Sequence, residues 1–131
     1  MFTTKIKYND FNEVECEEEL NFNLTETELT EMELSVDGGF SEQLKKLAAA
    51  KKVPEMVKIY RNFIISSYGV KSADGKRFMK DEKITADFVS SAAYDALMVR
   101  LYSEADFAMN FIKSIVPAKY RASLQNANAE A

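Results

Sequence analysis

The chain opens on a strict alternation. Phe2, Thr4, Ile6 and Tyr8 alternate with Thr3, Lys5 and Lys7. A period of two predicts a strand over about 3–8. Turn residues follow from Asn9 to Glu13. The alternation then resumes, with Val14, Cys16, Glu18, Leu20, Phe22 and Leu24 set against Glu15, Glu17, Glu19, Asn21 and Asn23. This predicts a second strand over about 14–24. A five-residue connection places Lys7 opposite Glu15 and Lys5 opposite Glu17, each pair contributing a few tenths to about 1 kcal/mol. Glu18 interrupts the apolar face. A two-stranded ribbon is marginal in water, so this one needs helices or the strands of another chain.

After Thr25 the period changes to 3.6. Thr25 and Glu28 have the spacing of a capping box, with Leu24 and Leu29 placed as a hydrophobic staple. Leu29, Met32 and Val36 form a narrow stripe that ends at Gly38-Gly39. Ser41 is the expected cap of a second helix reaching about Lys52, with the stripe Leu44, Leu47 and Ala48. The strongest element runs from Val53. Met56, Val57, Ile59, Tyr60, Phe63, Ile64 and Tyr68 share one half of its cylinder with Val53, and Ile65 is the apolar outlier. Pro54 suits the first turn, and Gly69 suits the left-handed position just past the end. Asp74-Gly75 signals a tight two-residue hairpin turn. A further helix is expected from a Thr85 cap to about Tyr102. Phe88, Val89, Ala92, Ala96 and Val99 lie on one of its sides, and Tyr94, Leu97, Met98 and Leu101 on another. Apolar on two sides, it is either central or covered by a partner. Ser103 is read as the cap of the last helix, whose face is Phe107, Ala108, Phe111, Ile112 and Ile115 and whose end is Pro117. The fold class predicted is α+β: an N-terminal β-hairpin over 1–24, then about five helices over 25–117. These form one domain, with a flexible tail over 118–131.

Composition narrows the function. With 47% apolar residues in a chain of 131, one globular domain is expected. The start, Met1-Phe2-Thr3-Thr4-Lys5, has no apolar leader core, and no run approaches a membrane span. Cys16 is the single cysteine, so an internal disulfide is excluded and a cytosolic setting is expected. Histidine is absent, which removes imidazole bases, Ser-His-Asp and Cys-His arrangements, and His-containing zinc sites.

Charge is unevenly spread. Residues 1–43 hold 2 Lys and 12 Asp/Glu, a net of −10; residues 44–131 hold 15 Lys/Arg and 9 Asp/Glu, a net of +6. The acidic part either neutralises the basic part within the chain or attracts it from another copy. Lys71, Lys76, Arg77, Lys80 and Lys83 surround Phe78, a pattern compatible with single-strand binding, but the acidic total opposes nucleic acid. Asp74-Gly75 beside Asp81 and Glu82 lacks calcium-loop spacing, and Gly38-Gly39 is not followed by a phosphate-loop lysine. Cys16 is expected to be an inert, buried thiol on the apolar side of its strand. No catalytic residue, metal site or cofactor is indicated, and the residues point to an interaction protein rather than an enzyme.

Tyr68-Gly69-x-Lys71-Ser72-x-Asp74-Gly75-x-Arg77-Phe78 resembles the central signature of the tail assembly chaperones of long-tailed phages of Gram-positive hosts. Phe22-Asn23-Leu24-Thr25 and Glu28-Leu29-x-Glu31-Met32-Glu33-Leu34 are similar to that family's N-terminal stretch. Ala93-Tyr94 and Phe111-Ile112…Ile115-Val116-Pro117 are similar to its C-terminal one. The chain departs from the pattern at Asp95–Leu101 and at Ser114. The resemblance implies a protein of the host cytoplasm, left out of the mature virion, that binds the tape measure protein and keeps it soluble until the tail tube polymerises around it. It also implies a second, frameshift-extended form. The alternatives are a structural tail or neck component, on the same resemblance, and, from the basic residues Lys71 to Lys83, a small nucleic-acid binder. Self-association is expected from the charge split. The docking surface expected for the tape measure protein is the C-terminal helix pair, through Tyr94, Leu97, Met98, Leu101, Phe107 and Phe111.

Overall fold

The N-terminal alternation becomes an antiparallel hairpin, β1 (Phe2–Asn9) and β2 (Glu15–Phe22). The computed structural model describes residues 1–35, 38–118, 120 and 121. Val36, expected in the first helical stripe, and the tail from 122 onward lie outside the described residues.

The register differs from expectation by two residues: Lys7 faces Glu17 and Lys5 faces Glu19. Asp10 is the cause. Its Oδ1 accepts from the Asn12 N–H at 2.8 Å and the Val14 N–H at 3.0 Å, and its own N–H donates to the Val14 carbonyl at 2.9 Å. Glu13 takes a positive φ of 62°. Val14 is thereby drawn into the loop. A shift of two keeps every side chain on its face, so Lys still meets Glu and the apolar face survives. Glu18 sits where that face reaches water, and its hydrogen bond with Tyr8 pushes the phenol up to about 12. Leu24 is not in the strand; its N–H donates to the Ile115 carbonyl at 2.6 Å.

Among the described residues the sheet has four strands, not two. β3 (Tyr68–Lys71) and β4 (Phe78–Met79) extend it in the order β1-β2-β3-β4. Gly69 therefore does not end a helix in the left-handed region. It lies in β3, where an added Cβ would meet Phe78 Cε2 at 2.7 Å and the Met79 carbonyl at 2.9 Å. Close approach, not positive φ, is what the position demands.

Among the described residues six helices form where five are expected. α1 (Glu26–Met32) has the capping box: the Thr25 N–H donates to Glu28 Oε1 at 2.9 Å and the Glu28 N–H to Thr25 Oγ1 at 3.2 Å. α2 (Phe40–Ala49) starts from Gly39 rather than Ser41 and ends short of Lys52, because Phe40 and Gln43 supply its buried anchors. α3 (Val53–Ser67) buries Ile59, Tyr60, Phe63 and Ile64 and leaves Ile65 exposed, as its pattern predicts. The expected helix over 85–102 is two helices, α4 (Glu82–Val89) and α5 (Ala92–Ser103). Asp81 caps the first through the Ile84 N–H at 2.7 Å. Ser91 caps the second, accepting from the Tyr94 N–H at 3.3 Å and donating to the Phe88 carbonyl at 2.6 Å. α6 (Ala105–Ile115) is capped at Glu104, so Ser103 belongs to α5. Beyond Pro117, Ala118, Tyr120 and Arg121 are helical, and the Arg121 Nε–H donates to the Lys113 carbonyl at 3.1 Å.

α5 occupies the middle, touching β1, α3, α4 and α6. Ala93, Leu97, Met98 and Leu101 are thus covered from within the chain, while Val99 stays 40% exposed. Phe2, Phe22 and Phe111 form the aromatic heart between sheet and helices, with Phe111 edge-on to Phe2 at 5.4 Å and to Phe22 at 5.5 Å.

Candidate binding surfaces

Of the six residues expected to dock a partner, four are interior. Leu97 and Phe111 are 0% exposed, Leu101 1% and Met98 5%. Tyr94 and Phe107 are half-buried. The Tyr94 hydroxyl accepts from Arg61 Nε at 3.2 Å, tying α5 to α3. The Arg100 guanidinium lies 3.8 Å over the Phe107 ring. The structure brings these side chains together, but as the seam between α5, α6 and the sheet.

The signature stretch forms the β3–β4 hairpin, and its residues divide by task. Ser72, Asp74 and Gly75 shape the turn. Ser72 Oγ donates to Asp74 Oδ1 at 2.6 Å and accepts from the Arg77 N–H at 3.0 Å. Asp74 Oδ1 also accepts from the Lys76 N–H at 3.0 Å, and these bonds hold its carboxyl below the usual range. Gly75 has φ 74° and open space around it. The Ser72 N–H donates to the Arg77 carbonyl at 2.8 Å. Four residues therefore lie inside the closing pair, not the expected two. Tyr68 stacks flat on Phe88 at 4.0 Å, and Gly69 makes room for Phe78. Lys71 and Arg77 remain exposed.

The hairpin is anchored by a residue the sequence does not single out. Lys80 Nζ donates to the Asn23 carbonyl at 2.6 Å, the Ser66 carbonyl at 2.9 Å and Glu28 Oε2 at 2.6 Å. All three ammonium protons are used. One side chain thus joins the end of β2, the end of α3 and the start of α1. Glu28 serves both its capping box and this cation. Burial pushes its carboxyl up, but the hydrogen bonds from Lys80 and Thr25 outweigh that and leave it below the usual range. In sequence Lys80 is one of five nearby cations, and two of its acceptors are backbone carbonyls, which no motif records. Buried Ser67, whose Oγ donates to the Phe63 carbonyl at 2.6 Å, escapes sequence reading for the same reason.

A groove opens on the surface between α1, the start of α2 and the end of α6. Leu29, Phe40, Val116 and Tyr120 line it with Thr30, Glu33 and Ser41, enclosing about 220 Å³. Its apolar floor and polar rim are the usual build of a pocket for one anchoring side chain. Leu34, next after the rim residue Glu33, is 91% exposed.

Polar chemistry is sparse. Among the described residues no three His, Cys, Asp or Glu side chains are grouped to hold a metal, and no helix is long and apolar enough to cross a membrane. Cys16 is half-buried with Sγ 3.7 Å from Asp10 Oδ2; desolvation first, then the Asp10 charge, push its thiol up. That direction disfavours the thiolate.

Fold and surface together define a small α+β protein whose organised features are two charged hairpins and an apolar groove. The family described as phage tail assembly chaperone matches residues 1–131, the whole chain, and the protein belongs to that family. No curated protein and no solved structure matches it.

Proposed function

We propose that the protein binds the tape measure protein of its phage and keeps it soluble until the tail tube assembles around it. The observation that carries this reading is the match of the whole chain to the tail assembly chaperone family. The physical need follows from the partner's chemistry: a long helical chain with exposed apolar faces aggregates unless they are covered. The protein acts by binding and not by catalysis, works in the host cytoplasm, and stays out of the finished virion.

With Leu97, Met98, Leu101 and Phe111 sealed in the core, the docking surface moves to the α1–α2–α6 groove. Leu29, Phe40 and Val116 offer an apolar floor for an anchor from one helix face, the recurrent helix-in-groove mode. Co-expression with the tape measure protein tests the reading. The wild-type chain is expected to hold the partner in the soluble fraction and to co-purify with it. Thr30→Arg or Ser41→Arg, on the exposed rim, should fold normally and lose that effect. If the partner stays insoluble with the wild-type chain, the function is wrong; if rim variants still solubilise it, the groove is wrong. Mass spectrometry of purified virions should lack the chain, and finding it at structural stoichiometry would favour a tail component.

A further inference from the structure

We propose that the α1–α2–α6 groove takes one face of a basic amphipathic helix, with an apolar anchor in the groove and a Lys or Arg of the same face against Glu33. The inference rests on the groove's being the docking surface, and it names the chemistry of the segment that fits there.

The shape of the groove favours a helix. Its floor is made of side chains, Leu29, Phe40 and Val116, and among the described residues no strand lines it. A segment laid on that floor finds no ladder of backbone partners, so it must satisfy its own N–H and C=O groups. A helix does this and presents its anchors at i, i+3 and i+4 on one face. The enclosed space, about 220 Å³, lies below the range of pockets for drug-sized ligands and suits one large side chain. Leu34, 91% exposed in the turn after α1, gives the same helix a second apolar contact beyond the rim.

Charge sets the sign of the partner. Residues 26–44 hold six Asp/Glu and no Lys or Arg. Glu28 is met by Lys80. Glu33, exposed on the rim, takes part in neither ion pair formed among the described residues, Lys80–Glu28 and Arg100–Glu104. Glu42, exposed one position past the rim residue Ser41, adds to the same field. On the α6 side the cation Arg121 turns back onto the Lys113 carbonyl.

The Glu33 carboxylate is also held in place. An added Cβ at Gly39 would collide with its Oε1, Cδ and Oε2, so the carboxylate occupies the space the glycine leaves at the start of α2. Gly39 gives α2 no side-chain cap, and the dipole of that helix favours a negative charge there. A carboxylate fixed in this way loses little freedom when a cation meets it. That separates it from the mobile surface pairs that contribute almost nothing.

NMR titration of the isotope-labelled chain tests this with two alanine-based peptides of ~18 residues, long enough to be helical. Both carry a Phe and a Leu one turn apart; one has Lys and the other Glu at the flanking positions of that face. The Lys peptide should shift the amides of Leu29, Thr30, Glu33 and Ser41, and the Glu peptide should bind at least about threefold more weakly. Raising salt to ~0.5 M should narrow that difference, as should Glu33→Gln at low salt. Thr30→Arg should weaken binding of the Lys peptide, with circular dichroism confirming that both variants fold. Equal binding of the two peptides, no shifts, or shifts confined to the acidic β1–β2 hairpin would each overturn the proposal. So would groove shifts on concentrating the chain alone, which would make a second copy the occupant. Co-expression with the tape measure protein separates the two failures. Soluble tape measure protein without peptide shifts overturns the helix preference alone. Peptide binding in the groove beside insoluble tape measure protein overturns that partner alone.

Discussion

Lys80 reaches Glu28 across 52 positions of sequence, Nζ to Oε2 at 2.6 Å, and fastens the signature hairpin to the capping box of α1. Two stretches that look like separate motifs along the chain are thus one structural unit. Replacing Lys80 by Met should leave the Glu28 carboxylate and the Asn23 and Ser66 carbonyls without their shared donor, and cost about 2–3 kcal/mol in urea melts. Lys80→Arg should not restore it, because three acceptors converge on one nitrogen and a guanidinium spreads its donors across a plane.

The same pair sets a pH dependence. The Glu28 carboxyl is held below its unfolded value near 4.5. In that window the unfolded chain binds the proton more readily than the folded one. The stabilisation is therefore present above about pH 4.5 and lost as pH falls through the folded value. Urea melts between pH 3 and 5.5 should show stability declining toward acid, with a shallower decline in Glu28→Gln. Equal slopes would mean the pair contributes nothing to the linkage.

Phe63 is 0% exposed, with its ring 5.1 Å from Phe40. Phe63→Ala should cost roughly 3–5 kcal/mol, enough to bring a domain of ordinary stability close to unfolding. A loss below about 1 kcal/mol would show that the α3 face is not the packing surface its burial indicates.

Gly69 and Gly75 should respond differently to alanine. At Gly69 the added Cβ collides with Phe78 and with the Met79 backbone, so β4 must move, at about 1–3 kcal/mol. Gly69→Ala with Phe78→Ala should recover less than the whole loss, because the backbone contact at 2.9 Å remains. At Gly75 there is open space but φ is 74°, so the cost is the left-handed penalty of roughly 1–2 kcal/mol. Removing Phe78 should not relieve it. Urea melts of the four variants separate collision from backbone strain.

Leu97→Asp should fail to fold on its own, because the new carboxylate would enter a position that is 0% exposed. Thermal melts and solubility of the variant alone check this. A folded, soluble Leu97→Asp would show that α5 can leave the core, and would reopen the C-terminal pair as a docking surface.

Local periodicity determined much of this protein by itself. The period-two run of Phe2–Tyr8 fixes a strand, because a one-residue slip would put Phe2 and Ile6 into water. The i, i+4 spacing of Ile59, Phe63 and Ile64 with Tyr60 fixes the buried face of α3. Thr25 and Glu28 fix where α1 begins, since the capping bonds span three residues and need nothing from elsewhere. The family signature around Ser72, Asp74 and Gly75 is equally local: those side chains shape their own turn.

The folded structure decided what periodicity leaves open. Asp10 chose the hairpin register through bonds that a count of loop residues does not reveal. Whether Leu97, Met98 and Leu101 faced a partner or the core depended on which elements surround α5, and Val99 on its other side stays exposed. The sheet and α3, α4 and α6 already cover the first three. Gly69 could serve a helix end or a close contact, and only the position of Phe78 chose between them. Lys80 is one cation among several until Asn23, Ser66 and Glu28 converge on it. In each case the sequence states a local preference, while the choice between its uses is made by atoms that only the folded chain brings into place.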